Sequence, residues 1–155
     1  MSQSSGFDMS KMSTASKILL AGGVLYLIDL FLQWNRACAG IGTFNICAGV
    51  SGFHGLGVLN FILVALIIVM EILVLANVNV SVGTPQVRAQ IDAGIAALLL
   101  VFTLLKVLLV DNEFISWPAW VGIVLAVVIA YGGWMRWQEG SVSAPPPPPA
   151  AGGIS

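Results

Sequence analysis

The chain has 155 residues, 58% of them hydrophobic and 8% charged, with a net charge of -1 and a mean hydropathy of +0.97. That composition excludes an ordinary soluble domain, and six basic residues without any Lys/Arg cluster exclude a surface that could follow a phosphate backbone. Cys38 and Cys47 are too few for a disulfide scaffold and lack CxxC spacing.

Residues 1–16 are rich in Ser and Met, with only Asp8 and Lys11 charged, and read as a disordered tail. Lys17 opens ILLAGGVLYLIDLFLQW, Ile18 to Trp34, 17 residues that just span a bilayer and carry Asp29 and Gln33. A rival reading is a secretory signal, since Ala37, Cys38 and Ala39 resemble an A-x-A cleavage site before Gly40. Asp29 and Arg36 spoil the apolar region and boundary that such a signal needs. Residues 35–53 form a Gly-rich connection with no spanning character, and eight residues separate Cys38 from Cys47. In an oxidising compartment a bridge there would remove loop entropy worth about 2 to 3 kcal/mol. The alternative is two small buried thiols in a loop lying on the membrane.

Leu56 to Ala76 is a comfortable span of 21 residues interrupted by Asn60 and Glu71. Asn77 to Gln86, with Asn77, Asn79, Gly83 and Pro85, is a short loop. The next span, Val87 to Val110, reaches about 36 Å against a hydrocarbon core of about 30 Å. At about 100° per residue Arg88 and Lys106 share an azimuth, and Asp92 falls within about 40° of them. Ile95, Leu99 and Thr103 fill that face, while Ala89, Ala93 and Ala97 make a small-residue ridge for close helix contact. After a tight reversal at Asp111 to Phe114, Ser116 can cap the last span with Pro118 in its first turn. Its body, Trp117 to Trp137, repeats Gly122, Ala126 and Ala130, and Trp117 and Trp120 at one end face Tyr131, Trp134 and Trp137 at the other as two interfacial belts. Residues 139–155 are a disordered tail in which Pro145 to Pro149 form a polyproline II rod, either a solvated spacer or a ligand for a proline-binding partner.

The expected fold is therefore all-α: a polytopic, left-handed bundle of four transmembrane helices occupying residues 17–138, with spans at about 18–34, 56–76, 87–110 and 116–137 and an extracytoplasmic loop at 35–53. With both termini cytoplasmic, Lys11, Lys17, Arg88 and Arg136 lie inside and Arg36 alone outside, the orientation that the positive-inside rule favours. It also sends the two cysteines to an oxidising side.

Intramembrane charge is the only functional lead. Depth along each helix sorts Asp29 with Lys106 into an outer layer and Glu71 with Arg88 into an inner one, Asp92 remaining as a further acid. These residues either lock helix register as neutralised pairs or, for Lys106 and Arg88, extend to the interfaces. The functional alternative is a proton or cation pathway through Asp29, Glu71 or Asp92. His54 reads as a polar interfacial residue, since no second soft or imidazole ligand accompanies it. Gly52, Gly55 and Gly57 do not form a phosphate loop, and Asp111, Asn112 and Glu113 are a solvated turn rather than a calcium loop. No nucleophile set can be assembled around one histidine, so no catalytic residue, enzyme activity, metal or cofactor is expected.

Trp34 followed by Cys38 and Cys47 invites comparison with claudins, but the Gly-Leu-Trp before the first cysteine is missing and the Trp-to-Cys interval is too short. Through LIDLFLQW at Leu27 to Trp34, SGFHGLGVL at Ser51 to Leu59, and DNEF with GGWMRWQEG at Gly132 to Gly140, the chain resembles small four-span integral membrane proteins of actinobacterial type that have no known activity. That resemblance implies fold and localisation and adds nothing on mechanism. The expected function is a structural or accessory role in a plasma-membrane assembly, with the lipid bilayer and itself or other membrane proteins as partners and no nucleic acid. The alternative is a small proton- or cation-coupled transporter acting as a homodimer, similar only in size to small four-span exporters that use an acid in the first span.

Overall fold

The computed structural model describes residues 12–76, 84–110 and 115–142. The loop at Asn77 to Gly83, the reversal at Asp111 to Phe114, the polyproline segment, and the acids and Lys11 used in the charge count beyond these bounds lie outside the described residues.

Helix α1 spans Thr14–Leu30, strands β1 and β2 span Gln33–Ile41 and Phe44–Ser51, and α2 spans Gly57–Leu75. Helix α3, Pro85–Leu105, continues as a π-helical turn over Lys106–Val110, and α4 runs Trp117–Val142. The helix starts follow local chemistry. The Ser13 hydroxyl accepts the Ser16 N–H at 3.2 Å, and the Thr84 hydroxyl accepts the Val87 N–H at 3.4 Å with Pro85 next in the first turn, where its missing N–H costs nothing. Each helix packs on its two neighbours in a ring, α1 on α2, α2 on α3, α3 on α4 and α4 back on α1.

Small residues let α4 approach both sides. A methyl at Gly133 would fall 2.8 Å from Ala96 Cβ, and one at Gly140 would fall 2.7 Å from Ala89 Cβ, so α3 and α4 touch almost backbone to backbone. On the other side Gly22 of α1 admits Ile129, and Gly132 of α4 admits Ile18 and Leu19. Of the two expected ridges, Ala89, Gly122 and Ala126 are buried, whereas Ala97 is exposed.

Two expectations are corrected. The chain is not purely all-α: the connection expected as a Gly-rich loop is an antiparallel hairpin paired from Gln33↔Ser51 to Ile41↔Phe44, turning at Gly42, whose φ of +64° is available to glycine without penalty. And among the described residues three helices, not four, are long and apolar enough to cross a membrane: Gly57–Leu75, Pro85–Leu109 and Trp117–Val142. The fourth, α1, has 17 residues and reaches only about 26 Å. The expected span extends through Phe31 to Trp34, but the chain turns at Phe31 and Leu32 so that Gln33 and Trp34 start the hairpin. At the far end α4 continues to Val142, beyond the point where the tail was expected to begin.

Cys38 and Cys47 are directly paired across the hairpin with Cα atoms 4.0 Å apart and are joined in a disulfide. Both strands are exposed almost throughout, so little but this bond and the ladder holds the ribbon. Cys38→Ser with Cys47→Ser is expected to destabilise the ribbon by about 2 to 3 kcal/mol. Hydrogen exchange of residues 36–49 should accelerate while protection of α2 to α4 stays unchanged.

Candidate functional site

The polar side chains inside the bundle fall into two layers with an apolar layer between them. At the hairpin end, Trp34 leaves β1 and enters the bundle, where it is fully buried. Its indole lies against Gly52 and Gly122, its edge meets Tyr26 at 6.4 Å between ring centroids, and its Nε1–H donates to the Asp29 main-chain oxygen at 3.0 Å. Lys106 Nζ sits 5.7 Å from the indole centroid and donates to the His54 main-chain oxygen at 2.7 Å. The Asp29 carboxylate is 3% exposed, faces Gly122, and neither oxygen accepts a hydrogen bond among the described residues. Ser116, just before α4, closes this end by donating its N–H and its hydroxyl to the Trp34 carbonyl at 2.7 and 2.9 Å.

Directly below lies a three-helix chain of hydrogen bonds. Thr103 donates to the Leu99 carbonyl at 2.7 Å, which uses its one proton, so the Tyr26 hydroxyl is the donor in the 2.6 Å contact with Thr103. Asn60 in turn donates to the Tyr26 oxygen at 3.0 Å. All three residues are completely buried. Tyr26→Phe strips Thr103 of a donor and Asn60 of an acceptor and is expected to cost about 1 to 2 kcal/mol, measured by denaturation in detergent.

The second polar layer is at the opposite end. Arg136 of α4 pairs with Asp92 of α3 at 3.8 Å and donates to Ser16 and Ser13 at the start of α1 at 2.9 and 3.4 Å. Arg88 of α3 donates to the Met70 carbonyl of α2 at 2.8 Å. Next to Met70, Glu71 is 1% exposed, and its carboxylate oxygens accept no hydrogen bond among the described residues. Asp92 lies within electrostatic range of Glu71, Arg136 and Arg88.

Between the layers Leu19, Val64, Ile67, Ala96, Leu99, Ala126 and Ile129 are all at most 2% exposed. Glu71 lies eleven positions after Asn60, and Thr103 eleven after Asp92, about 16 Å of helix in each case.

Asp29 and Lys106 thus sit at the hairpin end, and Glu71, Arg88 and Asp92 at the other, but partners differ from the pairings expected. Lys106 engages a carbonyl and an indole, Arg88 a carbonyl, and Asp92 is met by Arg136, which sequence reasoning used only to orient the chain. Tyr26 also went unnoticed. The signal for it was a four-residue step, Gly22, Tyr26, Leu30, on the face of α1 that also carries Asp29.

A bundle with three helices able to cross a membrane is compatible with the class of helical membrane proteins. No protein-family model, curated protein or solved structure matches the chain.

Proposed function

We propose that the chain is a multi-pass plasma-membrane protein with a structural or accessory role in a larger membrane assembly, and not an enzyme. In this reading the 17-residue α1 shares the bilayer with the other three helices, held there by α2 and α4. Both termini are cytoplasmic, because Lys17, Arg88 and Arg136 belong to the end away from the hairpin and Arg36 to the hairpin.

The observation that carries the proposal is the apolar layer. A proton or cation needs polar groups at each step of its path, and among the described residues buried aliphatic side chains lie between two polar layers whose backbone positions are about 16 Å apart along the helices. Arg88, Lys106 and Arg136, moreover, bond main-chain oxygens, hydroxyls and Asp92 on neighbouring segments, contacts that fix those segments to each other.

A small ion-coupled transporter acting as a homodimer is the second reading, favoured by the carboxylates of Asp29 and Glu71, which accept no hydrogen bond among the described residues. Reconstitution in vesicles loaded with a pH-sensitive dye separates the two. The structural role predicts no proton flux in the wild type and a loss of folded protein in Asp29→Asn, Glu71→Gln or Asp92→Asn. Flux that any of these substitutions abolishes without loss of folded protein would establish the transporter instead. Extraction in mild detergent should also retain a second membrane protein, and a lone monomer would count against the assembly role.

A further inference from the structure

The β1–β2 ribbon has two unlike faces. Residues paired across the strands share a face, so Asn35/Val50, Ala37/Ala48 and Ala39/Ile46 lie on one side, followed two residues on by Phe44. Arg36/Gly49, Cys38/Cys47 and Gly40/Asn45 lie on the other. Beyond Asn35 at its base the first face is wholly apolar, and it is bare: Phe44 is 76% exposed, Ile46 62% and Val50 45%. The second face carries Arg36, Asn45 and the disulfide.

A β-bulge fixes which way each face looks. From Gln33↔Ser51 to Asn35↔Val50 the first strand advances two residues while the second advances one, so Trp34 is the inserted residue. The Gln33 side chain lies against Gly49, which puts it on the Arg36/Gly49 side. Trp34, the next residue, alternates to the opposite side, where Asn35 and Val50 also stand. That is the apolar face. Because Trp34 points into the bundle between Gly52 and Gly122, the face it shares is the one turned toward the bundle, and Arg36 and Asn45 stand on the opposite face. Phe31, Trp117 and Trp120 are exposed at this same end of the bundle, so the apolar girdle of the helix ends continues onto the ribbon.

We propose that the ribbon is an interfacial lipid-binding element whose Val50, Ala48, Ile46 and Phe44 side rests on the leaflet beside the bundle, at the boundary of headgroups and acyl chains. The disulfide then has a definite task. A slip of one residue would turn every apolar side chain to the wrong side, and the cross-strand bond forbids that slip. An uncharged apolar face of this kind gains by leaving water for the interface, while the polar face keeps Arg36 solvated. The proposal rests on the membrane reading given above.

It is tested on the full chain, native disulfide intact, reconstituted in phosphatidylcholine vesicles with one nitroxide at a time, on Phe44→Cys, Ile46→Cys, Asn45→Cys or Val127→Cys. Val127 is a 49% exposed position in the middle of α4. Collision with oxygen relative to a water-soluble nickel chelate should be several-fold higher at Phe44 and Ile46 than at Asn45, and highest at Val127. Aqueous values at Phe44 and Ile46 with a hydrocarbon value at Val127 would overturn the ribbon's role and leave the membrane reading standing. An aqueous value at Val127 would overturn both. Shielding of Ile46 from both reagents, with spin–spin broadening between chains, would assign the face to a second copy and overturn the lipid proposal.

Discussion

Trp34→Ala is expected to destabilise the protein by about 3 to 5 kcal/mol, the largest single effect of any substitution in the bundle. The indole is fully buried and simultaneously fills the space left by Gly52 and Gly122, underlies Lys106 and abuts Tyr26. Removing it leaves a cavity bordered by two glycines, which cannot extend side chains into it. A double-substitution cycle makes the expectation specific. Gly122→Ala alone places a methyl 2.5 Å from the indole Cζ2 and 2.8 Å from an Asp29 carboxylate oxygen. Overpacking of that kind costs about 1 to 3 kcal/mol. In the Trp34→Ala background the clash with the indole is gone and only the contact with Asp29 remains, so most of the cost should disappear, a coupling of about 1 kcal/mol. Denaturation in detergent, followed by circular dichroism, reads each corner of the cycle. Costs that simply add would mean that Trp34 is not seated on Gly122.

Arg136→Met ranks second, at about 3 kcal/mol. It leaves Asp92, whose side chain is 4% exposed, without its ion pair and takes a donor from Ser16, so the contact of α4 with both α3 and α1 weakens at one stroke. The low end of the buried-pair range applies because the arginine side chain is itself 17% exposed. Two companions check the cause. Asp92→Asn added to Arg136→Met should restore most of the lost stability, since no charge is then stranded. Arg136→Lys should recover only part, because one ammonium cannot reach Asp92, Ser13 and Ser16 as the guanidinium fork does. If Arg136→Met unfolds at the wild-type midpoint in the same assay, the inner cluster contributes nothing to holding the helices together.

The apolar runs that became α2, α3 and α4 were readable because hydrophobic length is a strong signal. The hairpin was missed for a physical reason. Its first strand, with Ala37, Cys38, Ala39 and Gly40, is made of residues with little strand preference, so composition suggested a loop. The second strand did carry the two-residue step, with Phe44, Ile46, Ala48 and Val50 alternating against Asn45, Cys47, Gly49 and Ser51, and Gly42 marked the turn. Gln33 and Trp34 extend the apolar run of α1 in sequence, which is why the expected span is longer than the helix. The depth of each charge could be reckoned from helical rise, but its partner could not. Arg136 meets Asp92 only because Gly133 and Gly140 let α4 lie close against α3, and that proximity is a property of two helices rather than of either one.

The seat of Trp34 also dictates an order of assembly. Its walls come from Gly52, Lys106 and Gly122, so the last of them is supplied by α4, which is synthesised after the other three helices described. A nascent chain halted after Val110 must hold the indole with one wall missing, and the hairpin end can lock only when α4 arrives.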